Sequence, residues 1–296
     1  MDEIFEITDR ITILRDGKFQ GSLATKNTNV DEITNLMIGR ELESFFVRSQ
    51  SEIGEEVLRL ENITIDGLLK DVSFSIRAGE VVGMYGLVGA GRSEVAEAIF
   101  GIRKPDTGTF YWKGQPVAIR KPQEAIALGI SLVPEDRKEQ GLMTGLSGQA
   151  NMSLPIVDRI STMGVVSSDK ERHIFTSYRD KLAISTFGPG QIVGTLSGGN
   201  QQKIVIGKWL AAQPKLLILD EPTRGIDVGS KSEIHKLVAS LAEEGLAVLV
   251  ISSEMPEVLG VSMRILTVSE GEIVGEFKGA EMTEENLITS VSKKQM

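Results

Sequence analysis

An apolar run that opens onto a glycine-rich loop sets the tightest limit on what this chain can fold into. Glu80 to Tyr85, EVVGMY, lead into GLVGAGRS (Gly86 to Ser93), and a helical pattern, SEVAEAIFG, follows. In that order of strand, glycine loop and helix, backbone N–H groups curl around phosphate oxygens at a helix N-terminus. Gly86, Gly89, Ala90 and Gly91 are then the cradle, Arg92 lies against the phosphates, and the Ser93 hydroxyl reaches a magnesium ion. The pattern GxxxxGK[ST] asks for lysine where the chain carries Arg92. The dinucleotide pattern GxGxxG fails as well, because Glu94 stands where the third glycine belongs.

A second run, KLLILDEP (Lys215 to Pro222), is apolar throughout and ends in two carboxylates. Continuous apolar character suits a strand covered on both faces of a parallel sheet. With a glycine loop ahead of it, Asp220 is placed to hold magnesium through water, and Glu221 to orient or deprotonate an attacking water. Other chemistries are excluded by composition. There is no cysteine, and the two histidines, His173 and His235, are too few for a histidine-built metal cage. Both lie on polar helical segments and are expected at the surface. A net charge of -9 argues against nucleic acid as a partner, since that affinity rests on Lys and Arg displacing counterions. MDEIFEITDR lacks the basic start and apolar stretch of a signal peptide, and no run of roughly 18 apolar residues occurs, so the chain is expected to be neither exported nor membrane-spanning.

The chain also matches itself. MDEIFEITDRITILRDGKFQGSL (Met1 to Leu23) lies over MPEVLGVSMRILTVSEGEIVGEF (Met255 to Phe277) at a constant offset of 254 residues. Met1, Glu3, Arg10, Ile11, Gly17 and Gly21 meet Met255, Glu257, Arg264, Ile265, Gly271 and Gly275. Each segment predicts two short strands, about Asp16-Gly17 or Glu270-Gly271, and then a helix from about Asn29 or Thr283. Solenoid units run about 20–50 residues, so a repeat this long points to a duplicated domain. Residues 1–46 are therefore expected to be the C-terminal remnant of a first copy, 47–55 a linker carrying the polar VRSQSEIGE, and 56–296 a whole second copy. Two strands alone are marginal in water, so the remnant is expected to pack weakly on the second copy or to be mobile.

Just ahead of the acidic strand stands LSGGNQQK, Leu196 to Lys203. With the glycine loop, the acidic strand and GID (Gly225 to Asp227), it makes residues 55–280 resemble the ATP-binding-cassette family, whose signature is LSGGQ. The resemblance implies a P-loop α/β fold with a mostly parallel core sheet, an antiparallel β portion near the start, and a helical subdomain at about 138–212. It also implies ATP and Mg2+ as ligands, and work in dimers. Ser197, Gly198, Gly199 and Asn200 then put donors at a helix N-terminus that faces the terminal phosphate of a nucleotide held on another cassette. LMIGREL (Leu36 to Leu42), VPEDRK (Val133 to Lys138), DEPTRGIDVG and ISSEMPE are similar to the sugar-importer ATPases of the ribose, galactose and xylose type, in which two cassettes are fused. By that resemblance the partners are a first cassette, membrane permease subunits and, indirectly, a sugar-binding protein. The place is the cytoplasmic face of the cell membrane, reached through the permease.

Against the family pattern, Arg92 replaces the P-loop lysine, Glu135 stands where a glutamine is expected, and Ser253 occupies a histidine position. No aromatic residue in ENITIDGLLK offers adenine a stacking face. Arginine keeps the charge but aims a larger, planar fork. Glu135 adds negative charge near phosphates, and Ser253 cannot supply an imidazole. Weak nucleotide binding with little or no hydrolysis is the expectation, with Glu221 as the catalytic equipment left. A homodimer would bring LSGGN to the altered loop without restoring the lysine or histidine. Two other readings stay open: a non-catalytic nucleotide-binding regulatory half, and a soluble cassette protein outside transport. Arg224 stands as either a salt-bridge partner or a ligand.

Overall fold

The computed structural model describes residues 2–15, 18–29, 32, 33, 36 and 48–292. In chain order its strands are β1 (Arg10–Arg15), β2 (Lys18–Ala24), β3 (Glu56–Ile65), β4 (Leu69–Arg77), β5 (Val81–Gly86), β6 (Thr107–Trp112), β7 (Gln115–Val117), β8 (Ile130–Val133), β9 (Ser161–Thr162), β10 (Val165–Val166), β11 (Leu216–Asp220), β12 (Ala247–Ile251), β13 (Arg264–Ser269) and β14 (Glu272–Lys278). A six-stranded sheet runs in the order β14-β13-β5-β12-β11-β8, parallel except for the edge strand β14. The antiparallel sheet β4-β3-β6-β7 covers one face of it.

Side chains alternate across a strand, and here both sides are dry. Leu216, Ile218, Leu249 and Ile251 pack with Leu58 and Leu60 of β3 and with Val95 and Ile99 of the helix Arg92–Ile99. Leu217, Leu219, Val248 and Val250 face the other way, onto the helices Gly198–Ala211 and Val228–Glu243. That is why LLILD and AVLVI carry no polar alternation. Truncating one such leucine to alanine costs about 2–5 kcal/mol.

Between β8 and β11 lie the helices Gly148–Ser153, Val157–Ile160, Ser168–Lys181 and Gly198–Ala211. Ser147, Ser167 and Ser197 each start one of them, their hydroxyls accepting from Ala150, Lys170 and Asn200 N–H. Phe175 is buried among Met152 and Ile204 at the centre. The mostly parallel sheet, the antiparallel portion and the helical part expected from the sequence are all present. No helix among the described residues is long and apolar enough to cross a membrane.

At the N-terminus the repeat reappears in three dimensions. A helix, Asp2–Ile7, precedes β1 and β2, and a 3-10 turn, Thr25–Asn27, follows. Near the C-terminus Met255–Val261 precedes β13 and β14, and Gly279–Glu281 follows. Pairing in β1–β2 runs Arg10↔Ala24 to Arg15↔Lys18 with a bulge at Ile13/Leu14. In β13–β14 it runs Arg264↔Lys278 to Ser269↔Glu272 with a bulge at Thr267/Val268, the same step at the same offset. Glu270 and Gly271 both have positive φ, 49° and 76°, as a two-residue hairpin turn of matching twist requires. The companion turn at Asp16-Gly17 lies outside the described residues, as does LMIGREL apart from Leu36. Residues 48–55 lie along the cassette: the Arg48 guanidinium donates to the Leu259 carbonyl at 2.6 Å, and Gly54 N–H to Ala78 at 2.8 Å.

One surface expectation is overturned. His173 is exposed, but His235 is 2% exposed, with its Nε2 2.8 Å from Glu257 Oε1. The inward stripe of its helix is wide enough to take Ile234, His235 and Val238 together, and a buried carboxylate partners Nε2 of the ring.

Candidate functional site

The glycine loop follows β5, a strand buried at every residue. Gly86 ends that strand, where an added Cβ would lie 2.4 Å from the Val268 carbonyl oxygen. Gly91, at φ 104°, starts the helix Arg92–Ile99, and a Cβ there would crowd Gly271 at 3.0 Å. The loop is braced from behind, because Gly271 N–H donates to the Ala90 carbonyl at 2.8 Å. In front of it opens a cavity of about 450 Å³ lined by Val88 to Glu94, Glu97, Glu135, Glu221, Arg224 and Ser253. Gly89, Ala90, Gly91, Arg92, Ser93, Glu135, Glu221 and Ser253 thus meet at one place, though residues 93 and 221 are far apart in the chain. Asp220 does not line it but is buried beside Ser93, which does.

Two ion pairs organise the cavity. Arg92 is buried and places Nη2 3.3 Å from Glu221 Oε1, the oxygen that also accepts from Ser253 N–H at 2.8 Å. Glu135 pairs with Arg224 nearer the rim, which assigns Arg224 as a salt-bridge partner in this conformation. Arg137 clamps the same loop from the other side, donating to the carbonyls of Arg224 (2.7 Å) and Gly225 (3.0 Å). Glu221 sits at φ 46°, a left-handed backbone that costs energy for a residue with a Cβ and is held by its N–H donating to Ile251.

Two buried atoms in this place lack a partner among the described residues: Arg92 Nη1 and Asp220 Oδ1. Burial pushes the Asp220 carboxyl up to about 6, although the Ser93 hydroxyl works against the rise. An unpartnered guanidinium donor beside a glycine loop suits a phosphate, and an unpartnered carboxylate oxygen beside a serine hydroxyl suits a hard divalent cation. The donor set therefore fits a nucleotide with Mg2+.

Ser197, Gly198, Gly199 and Asn200 do not line that cavity. They form the N-terminus of Gly198–Ala211, with Asn200 Nδ2 donating to Ser197 Oγ at 2.9 Å and Asn200 Oδ1 accepting from Ser185 N–H at 2.8 Å. Gly199 has no room for a Cβ, which would come 2.0 Å from Ser230 Oγ. Glu94 and Glu97 also line the cavity and Arg137 braces the loop beside it, although the motifs give none of the three a role. The first two share one face of the helix after the loop by their i, i+3 spacing, a legible signal. Nothing local marks Arg137, whose acceptors lie 87 and 88 residues away.

A family model described as ABC transporter matches residues 69–224. The ribose import ATP-binding protein RbsA of Geobacillus kaustophilus (strain HTA426) is 47% identical over 292 residues, covering 99% of this chain and 59% of that protein. Its counterpart in Bacillus subtilis (strain 168) is 44% identical, over 98% of this chain and 59% of that protein. The chain thus spans about three-fifths of these curated relatives. A nucleotide-free ATP-binding cassette from an ABC transporter superposes with a TM-score of 0.71 at 23% identity, covering 81% of this chain and 99% of that one. The ADP conformation of another such cassette gives 0.68 at 24%, over 81% and 96%. At those identities the superpositions show the fold alone. The family model adds the sequence pattern, and because it runs through more than half of the chain, from β4 across the glycine loop to the acidic strand, the chain belongs to the ABC transporter family.

Proposed function

We propose that this chain is an ATP-binding part of an importer for simple sugars, coupled to membrane permease subunits on the cytoplasmic face and through them to a sugar-binding protein. The ribose import proteins it is similar to support the sugar class. The matching bulge, register and flanking turns of the two hairpins support its reading as the tail of one cassette followed by a whole second one.

In this reading the loop amides, Arg92 and Ser93 hold the phosphates, and Ser93 and Asp220 hold Mg2+. Bound Mg-ATP would bring a phosphoanhydride bond and the positive charge that the surrounding carboxylates of Glu94, Glu97, Glu135, Asp220 and Glu221 call for. Glu221 is the group that orients or deprotonates water. Ser197 to Asn200 serve a nucleotide on another cassette, a preceding one or a second copy of this chain.

Slow hydrolysis rests on one observation, the pairing of Arg92 with Glu221. The residue that replaces the P-loop lysine is spent on the carboxylate that water needs, and Ser253 offers that carboxylate a backbone N–H but no imidazole. The same pair favours the second reading, a half that binds nucleotide without turning it over. Steady-state phosphate release decides, using the wild type, Glu221→Gln and an Arg92→Lys, Glu135→Gln, Ser253→His triple variant. Negligible wild-type turnover, raised in the triple variant, is expected. Wild-type turnover within the common enzyme range of about 1–1000 per second, abolished by Glu221→Gln, would show that the altered residues are tolerated.

A further inference from the structure

Behind Glu221 lies a buried polar cluster that binds no part of the cavity. Glu257, on the helix Met255–Val261, and His235, on the helix Val228–Glu243, are 3% and 2% exposed and meet at 2.8 Å. Thr223 and Ser252, also buried, lie near the same carboxylate. Burial works to raise that carboxyl, yet His235 with the nearby Ser252 and Thr223 hydroxyls holds it below the usual range, so it stays ionised as an acceptor.

The cluster's position gives it a role. Thr223 lies two residues beyond Glu221, and Ser252 one residue before Ser253, whose N–H donates to Glu221 Oε1. The Glu257–His235 contact therefore joins the two helices that begin just after the loops that set where the Glu221 carboxylate points. Glu221 needs such support, since its backbone sits in the left-handed region. A second rung braces the same pair of elements, with Lys231 Nζ on Glu254 at 2.5 and 2.6 Å. That rung is at the rim, with the Glu254 side chain 49% exposed, whereas the His235–Glu257 rung is dry and so the stronger constraint.

We propose that Glu257, held by His235, is a positioning residue for Glu221: it fixes the 221–224 and 252–253 loops and so aims the carboxylate at the cavity. The proposal rests on Glu221 being the water-orienting group.

The test uses the full chain with Glu257→Gln, His235→Leu and His235→Gln, the last keeping a donor toward Glu257. Hydrogen exchange is followed on peptides spanning 219–225 and 250–255, with 264–269 as the reference. Losing the charged acceptor or its donor is expected to speed exchange in both loop segments about tenfold or more, with the reference unchanged and His235→Gln close to wild type. Single-turnover phosphate release from bound Mg-ATP, followed in the Arg92→Lys, Glu135→Gln, Ser253→His background whose turnover is raised, is expected to fall about tenfold on adding Glu257→Gln or His235→Leu, while affinity for a fluorescent ATP analogue holds within about twofold. Wild-type exchange in the loops of Glu257→Gln would overturn the proposal. So would acceleration of loops and reference together, which would make the pair a mere support of the fold, or a His235→Gln chain no better than His235→Leu. A wild type that binds no ATP analogue would instead sink the nucleotide reading, and the exchange comparison would still decide the positioning.

Discussion

The two hairpins, β1–β2 and β13–β14, share register, bulge and flanking helix, yet they live in different surroundings. β13 lies between β14 and β5, and Val268 is fully buried. β1 pairs with β2 alone among the described residues, and Leu14, the counterpart of Val268, is 62% exposed. Arg264 is buried against Glu80, Glu276 and the Ser75 carbonyl, while its counterpart Arg10 is exposed and reaches only Ser22, at 3.3 Å, among the described residues. Local sequence is enough to set strand pairing and the place of a bulge. It does not set burial, which comes from elements far off in the chain.

If that contrast is right, paired substitutions must behave unequally. Arg264→Ala leaves Glu80 buried without its partner and is expected to cost about 3–5 kcal/mol, whereas Arg10→Ala is expected to stay within about 0.5 kcal/mol. Urea unfolding measures both, and equal costs would mean that the hairpins are equally supported. Ile265→Ala is expected to cost about 2–5 kcal/mol, and its counterpart Ile11→Ala to leave the main transition nearly where it was, because among the described residues Ile11 packs in a small cluster with Ile13, Ile33, Phe5, Leu23 and Leu36. Hydrogen exchange sharpens the same point: amides of 265–268 should be protected as core strands are, and those of 11–14 much less. Protection of 11–14 equal to the core would break the comparison.

The smallest effect is one of pH. Burial works to raise the Glu276 carboxyl, but Lys278 and Arg264 outweigh it, and its pKa falls below the ordinary glutamate value. A carboxyl lowered in the folded state contributes stability that is fully present above its unfolded value, and that stability is lost as pH falls through the folded one. Glu276→Gln should therefore flatten the loss of stability on acidification below about pH 4.5, by well under about 1 kcal/mol because the side chain is 44% exposed. Ser22, at the matching place in β1–β2, has no charge to lose. A urea midpoint for Glu276→Gln that falls with acid as steeply as the wild type's would contradict the assignment.

What could be read from the sequence was what depends on near neighbours. The glycine loop, the buried run ending in Asp220 and Glu221, and the serine that starts the helix Gly198–Ala211 each have a local cause. The pairings that give the cavity its character do not. Arg92 finds Glu221 across β12, Glu135 finds Arg224 past the ends of the neighbouring strands β8 and β11, and His235 turns inward to Glu257 on the helix packed beside it. SEIHKL looks polar enough for a surface, and only the helix Met255–Val261 packed beside it makes room for a buried imidazole.

The brace behind the glycine loop has a consequence for synthesis. The Ala90 carbonyl is held by Gly271 N–H, and Gly271 in turn accepts from Lys70. Roughly 180 residues must be translated after Gly91 before that clasp exists, about 10–40 seconds at ordinary ribosome speeds. For that interval the emerging chain carries a phosphate loop with no back wall, and it gains its final shape only when the turn of the last hairpin arrives.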